Sequence, residues 1–264
     1  MSRSFRNPPV VETVLSIQFE ELENFRNIHF GKFHAQIESD FSNSEDQPRL
    51  PRIFESFPLV PKLNRIQLQQ SGGEPNRVWY RSARENSLML QLQPDRFSLN
   101  WCKREGQSYP RYTAYRPKFF RGFGQFREFA EQSGLGPVLP TLCEVTYVNH
   151  IIPYDGESVS DCCASVMAGL EWVSVDGWLQ QPPESFSFNR TFPIQTNKGR
   201  LYVELNAGNN GECDIVQAKI TARTICEQGS DASIELDLAH DWVVKSFVSL
   251  TTDDARKVRW GEVT

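Results

Sequence analysis

Pro140-Thr141-Leu142-Cys143-Glu144-Val145-Thr146-Tyr147-Val148-Asn149-His150-Ile151 restates the pattern of Pro8-Pro9-Val10-Val11-Glu12-Thr13-Val14-Leu15-Ser16-Ile17-Gln18-Phe19. In each, a proline is followed four residues later by glutamate, and the two copies lie 132 residues apart. In the first copy Val11, Thr13, Leu15, Ile17 and Phe19 alternate with Glu12, Ser16 and Gln18. That period of two predicts a half-buried strand. The same displacement gives Cys143, Val145, Tyr147, Asn149 and Ile151, so the second copy keeps its apolar face and places Asn149 within it.

Outward from each copy the order of elements also repeats. Leu22 to Phe41 carries apolar residues every three or four positions and predicts a helix. Ser42 to Pro61 is polar and proline-rich and reads as a long loop. Strands are expected at 65–70, 78–82, 87–93 and 97–101, with turns at 71–76 and at Pro94-Asp95. Pro117 marks the first turn of a helix with a phenylalanine stripe that ends before Gly134 and Gly136, leaving Arg111-Tyr112 and Tyr115-Arg116 in the preceding loop. After a joint at Leu135 to Pro140, the second half predicts a helix at 158–172 with Ser158 as N-cap, strands at 185–191, 200–206 and 214–226, and a final helix ending at Leu250. Short connections with alternating faces argue an antiparallel meander. The fold class is therefore α+β. Two tandem strand-helix-meander-helix pseudo-repeats, residues 1–136 and 137–264, are expected to form antiparallel sheet with helices on one side. That arrangement resembles the saddle of TATA-binding-protein-like folds, and a helix-grip-like fold for each half is the alternative.

The 264 residues are 39% hydrophobic and 12% aromatic, which is globular composition. Net charge is −5, whereas a protein coated for nucleic acid is usually basic. No apolar run approaches the roughly 18 residues of a membrane span, and no apolar stretch follows Arg3 and Arg6 as an export signal requires. The six cysteines form no Cys-x-x-Cys pair, so a cytoplasmic protein with thiols packed as small hydrophobes is expected.

Five stretches carry a family resemblance. They are Asn7-Pro8-Pro9-Val10-Val11-Glu12; Leu90-Gln91-Leu92-Gln93-Pro94-Asp95-Arg96-Phe97 with Asn100-Trp101; Tyr109-Pro110-Arg111-Tyr112; Cys143 to Ile151; and Ala239-His240-Asp241 with Phe247 and Trp260-Gly261. Together they resemble a sporadically distributed bacterial and archaeal family of about this length with no assigned activity. The patchy occurrence of that family resembles that of toxin–antitoxin and phage-defence genes. The resemblance implies an accessory role in such a locus, with a protein partner encoded nearby, and supplies no catalytic residues.

No nucleophile elbow, Walker loop or dinucleotide-binding glycine motif is present, and no cofactor is expected. His29, His34, His150 and His240 are scattered, so no metal site is expected. Two constellations remain. Between Arg96 and Arg127, eight Lys and Arg side chains are interleaved with Trp101, Tyr109, Tyr112 and Tyr115. Guanidinium groups neutralise phosphates and aromatic faces stack bases. Arg96, Arg111, Tyr112, Arg116 and Arg121 are therefore the candidates for an anionic nucleotide or nucleic-acid ligand. The plainer reading is a phenylalanine core with arginines pairing to the acidic remainder. The second constellation is Glu12, Glu144, Asn149 and His150, a polar sheet surface or a junction network in which the glutamates pair with arginines such as Arg96. Binding is the expected function. The alternative is an enzyme acting on a nucleotide or RNA, with Glu12, Glu144, His150 or His240 as acid and base.

Overall fold

The computed structural model describes residues 4–59, 77–170, 177–181, 183–195 and 197–263. Strand β1 (Ser4–Phe5) leads through Pro8-Pro9 into the long strand β2 (Val10–Phe19). Helix α1 (Asn27–Ile37) follows, then β3 (Asn43–Gln47), β4 (Arg77–Arg81), β5 (Leu88–Gln93), β6 (Arg96–Cys102) and helix α2 (Tyr112–Gln132). The second part runs β7 (Pro140–Ile151), α3 (Val159–Val166), β8 (Ser187–Ile194), β9 (Gly199–Asn209), β10 (Asp214–Ile225) and α4 (Ala232–Leu250). A π-helical turn at Ala255–Arg259 precedes β11 (Glu262–Val263). Among the described residues no helix is long and apolar enough to cross a membrane.

Nine strands form one antiparallel sheet in the order β3-β4-β5-β6-β2-β7-β10-β9-β8. The two proline-led strands β2 and β7 are paired at its middle, with Leu15 opposite Val145 and Ser16 opposite Glu144. Register carries one apolar row across eight strands: Tyr80, Leu90, Leu99, Leu15, Val145, Ala222, Leu201 and Phe192. This is the face on which the helices pack. The rings of Phe123 and Phe126 from α2 lie on Phe19 and Phe97, and Phe33 of α1 meets Tyr80 and Phe126. Aromatic edges and faces each bury large areas, so a few rings supply much of the apolar driving force here.

The other face is polar but much of it is buried. Ser16 and Ser98 share a hydrogen bond of 2.8 Å, as do Thr146 and Thr221. Gln91 donates to Asn100 at 2.6 Å, and Asn100 donates to Glu12 at 2.7 Å. The chain from Pro48 to Leu59 crosses one end of this face as a strap. Gln18 exchanges hydrogen bonds with the backbone of Ile53, and Leu50 donates to Gln93. Farther along, Glu55 accepts from Arg200 at 2.5 Å and from Tyr202 at 2.7 Å, with the Arg200 and Glu55 side chains 4% and 2% exposed. The strap therefore ties β2 and β5 to β9 with buried polar groups that satisfy one another.

Several local expectations are corrected. Helix α1 starts at Asn27 rather than Leu22, because Phe25 closes a turn on Leu22 and His29 accepts the Arg26 amide as an N-terminal cap. Part of the expected loop after Phe41 pairs with β4 as the edge strand β3. Helix α2 begins at Tyr112, so Pro117 lies inside it and Arg111-Tyr112 and Tyr115-Arg116 are not in a loop. Helix α3 ends at Val166, where Met167 turns extended and bridges Thr251. Its N-cap is Ser158, as expected, with the side chain accepting from the Asp161 amide. The strand expected at 65–70, the turn at 71–76 and residues 171–172 of the expected helix lie outside the described residues. The two-residue pair β1–β11 has no precedent in the sequence patterns.

Candidate functional site

A cavity of about 470 Å³ opens where the first turn of α2 approaches the middle of α4 above the sheet's centre. That volume lies in the range of roughly 300–1,000 Å³ common for small-molecule sites. Its floor is Val10, Tyr147, Asn149 and Ile220, from the paired central strands and β10. Helix α4 supplies His240, Val243, Val244 and Phe247, and Ser4, Phe5, Arg6, Pro8 and Pro9 close one side. The remaining wall is Ser108 to Thr113 at the entry to α2, Pro110 excepted.

Local sequence explains each wall. Strand alternation turns Tyr147 and Asn149 to the helix side, while Glu144, Thr146, Val148 and His150 turn away. Asn149 is buried and donates to the Ala218 carbonyl at 3.0 Å across the strand pair. The chain end is held by β1–β11 pairing and by backbone bonds from Arg6 and Asn7 to Gly261 and Trp260. Phe5 seats its ring edge-on against Phe247 and Trp260.

Tyr112 is the first residue of α2. Its hydroxyl donates to Asp237 at 2.7 Å, and its ring stacks on His240 with centroids 3.8 Å apart. Arg116 grips the same carboxylate through Nε at 2.6 Å and Nη2 at 2.8 Å. Burial raises the Asp237 carboxyl, but the hydrogen bonds from Arg116 and Tyr112 outweigh it and leave the group below its ordinary value. Burial also lowers the His240 imidazole to about 4, against the pull of Asp241 and Asp237. The ring is therefore neutral near pH 7, and neither nitrogen is engaged by a described residue. Behind it Tyr109 donates to Tyr147 at 2.6 Å, and burial holds both phenols protonated.

The electrostatics of the mouth follow from what is paired. Arg49, Arg52, Arg81, Arg84, Arg116, Arg200, Arg223, Arg256 and Arg259 each have an acidic partner. Arg6 and Arg111 are exposed and have none among the described residues, and both line the cavity. Arg111 also precedes a helix that no side chain caps, so the positive end of α2 adds to the field.

The five candidate anion contacts are thus divided. Arg111, Tyr112 and Arg116 gather at the cavity, although Arg116 is neutralised by Asp237. Arg96 is on the opposite sheet face, where it donates to Gln18 and the Pro51 carbonyl, each at 3.0 Å. Arg121 is exposed farther along α2 without a described partner. The aromatics expected to stack bases are withdrawn, since Trp101, Tyr112 and Tyr115 are buried and Tyr109 is half-buried.

The glutamates do not pair with Arg96. Arg223 stands directly opposite Glu144 and donates to it at 2.6 Å, and Glu12 accepts from Asn100. His150 meets Gln217 at 3.5 Å. Glu12, Glu144 and His150 are therefore separated by the sheet from His240 and do not converge with it. Among the described residues no three His, Cys, Asp or Glu side chains gather around a common point.

Sequence reasoning missed Arg6, Asp237 and the apolar face of α4 as site components. One signal was available. Of the five stretches that carry the family resemblance, four contribute to this cavity: Pro8 to Val10, Tyr109 to Tyr112, Tyr147 with Asn149, and His240 with Phe247. No protein-family model, curated protein or solved structure matches the chain.

Proposed function

We propose that the chain is a cytoplasmic binding protein that takes a small organic anion into the cavity between α2 and α4. The observation that carries this reading is the pair Arg6 and Arg111, two cations without acidic partners on one cavity of an acidic chain whose other arginines are mostly engaged. Two exposed guanidiniums at one cavity mouth attract an anion and donate charge-assisted hydrogen bonds to it, so such a pair gives both orientation and affinity. Burial of the tyrosines favours a small ligand over a nucleic-acid strand, which needs exposed rings. The sequence resemblance adds a context, an accessory component of a mobile defence or toxin–antitoxin-like locus.

The strand order supports two tandem pseudo-repeats. β2 and β7 lie side by side, each followed by a helix, and the last strand of each half, β6 or β10, flanks its own first strand. We read the halves as a saddle with the cavity under its helices, at the seam where α2 of one half meets α4 of the other.

The test is a thermal-shift panel of nucleoside monophosphates and of acyl and aryl carboxylates, on wild type and on the Arg6→Gln/Arg111→Gln variant. A ligand at 100 times its Kd adds about 2.7 kcal/mol of stability. We expect at least one anion to raise Tm in the wild type and to lose most of that effect in the variant. No stabilising anion, or undiminished stabilisation in the variant, refutes the reading.

A further inference from the structure

The lining of the cavity narrows the ligand class. We infer that it takes a hydrophobic carboxylic acid, with the carboxylate between Arg6 and Arg111 and an acyl or aryl body inside; this rests on the anion-binding reading above. The argument is one of polar satisfaction. Phe5, Val10, Ile220, Val243, Val244 and Phe247 present carbon surface to the interior. The polar groups among them are largely committed elsewhere. Asn149 donates to the Ala218 carbonyl, Tyr109 donates to Tyr147, and the Tyr112 hydroxyl donates to Asp237.

A nucleobase entering this space would carry several donors and acceptors. Beyond the His240 nitrogens and the Asn149 oxygen, the uncharged lining side chains with no hydrogen bond to a described residue, Ser4, Ser108 and Thr113, belong to the side walls rather than to the apolar floor and the α4 face. Each polar group left unpaired in an apolar site costs about 1–3 kcal/mol. An acyl chain or a fused aryl ring makes no such demand, and every buried CH₂ contributes about 0.8 kcal/mol. The planar fork of a guanidinium donates to both oxygens of one carboxylate. The opposite charge is excluded by Arg6 and Arg111, which a cationic amphiphile would meet head-on.

The experiment is calorimetric titration of the full chain with decanoate, 1-naphthylacetate, decylammonium and adenosine 5′-monophosphate. At least one carboxylate is expected to bind one to one, with a negative heat-capacity change from apolar burial. Arg111→Gln is expected to weaken it tenfold or more, and Val243→Trp, which fills the cavity, to abolish it. Arg111 is exposed, so its variant tests the proposal even where Val243→Trp fails to fold. Decylammonium is expected not to bind. Decylammonium binding as tightly as decanoate would overturn the inference, because the cavity would then select carbon without charge. Binding of adenosine 5′-monophosphate in an Arg111-dependent manner while both carboxylates fail overturns the inference and leaves the anion reading standing. Failure of every anion overturns both.

Discussion

Tyr112 and His240, 128 positions apart, lie face to face with ring centroids 3.8 Å apart and planes 9° from parallel. The contact joins the first turn of α2 to the middle of α4 and forms one corner of the cavity. It also buries the imidazole, and that burial has a titratable consequence.

The His240 imidazole titrates near 4 in the folded chain and near 6.5 when unfolded. Between those values the unfolded chain binds more protons, so stability falls as pH drops from 6.5 to 4 and this contribution is flat on either side. The loss attributable to His240 is roughly 3 kcal/mol. Urea unfolding of wild type and His240→Gln at pH 7 and pH 4 is expected to show a smaller fall for the variant. Parallel falls would mean that the ring is solvated.

The strap depends on Glu55. Removing one partner of a buried ion pair costs about 3–5 kcal/mol, because the other charge stays buried. Glu55→Gln is expected to lose about 3 kcal/mol or more in urea unfolding. Glu55→Gln/Arg200→Met should lose less than the sum of the single variants. Additive losses would show that the two side chains are not coupled.

Gly199 opens β9 in a place where no side chain fits. An added Cβ would lie 1.9 Å from the Arg223 carbonyl oxygen and 3.0 Å from the Thr224 Cα, both backbone atoms. Gly199→Ala is expected to destabilise by more than about 3 kcal/mol. Gly208→Ala, whose Cβ meets nothing within 4 Å, is expected to stay within about 0.5 kcal/mol of wild type. Equal effects at the two sites would contradict the backbone packing at the start of β9.

Thiol reactivity should single out one cysteine. Cys143 is raised well above the usual range by its hydrogen bond with Cys226 and by burial, while burial lifts Cys162 to about 12 and Cys163 to about 11. Cys102 is also pushed up to about 11, by burial and then by Glu12. Cys213 is half-exposed in the β9–β10 turn. An aromatic disulfide reagent at pH 8 is expected to label Cys213 in the fast phase, and Cys213→Ser to remove that phase. A fast phase that survives the substitution would place a reactive thiol elsewhere.

Among the described residues, period-two alternation is legible because a strand's face is set by its own sequence. Leu15, Val145, Leu99 and Leu90 share one row for that reason. What lay beyond reach was set by partners distant in the chain. Arg116 and Asp237 are 121 positions apart, and nothing near Arg116 marks it as already neutralised. Arg96 and Arg111 are close in sequence, yet strand alternation and the turn into α2 put them on opposite sides of the sheet. Pro117 misplaced the start of α2, since a proline fits the first turn so well that its tolerance deeper in this helix was not anticipated. The cavity itself has no linear signature. It appears only when segments beginning at Ser4, Tyr109, Tyr147 and His240 are brought together.

The pairing of Ser4 with Val263 has a practical consequence for anyone handling this protein. Chain that enters before Ser4 or leaves after Val263 does so beside the other strand of this pair and next to the side of the cavity walled by Ser4, Phe5 and Arg6. An extension rich in acidic residues would bring carboxylates to Arg6 and act as a tethered competitor. Binding measurements therefore call for material without such an extension next to Ser4 or Val263.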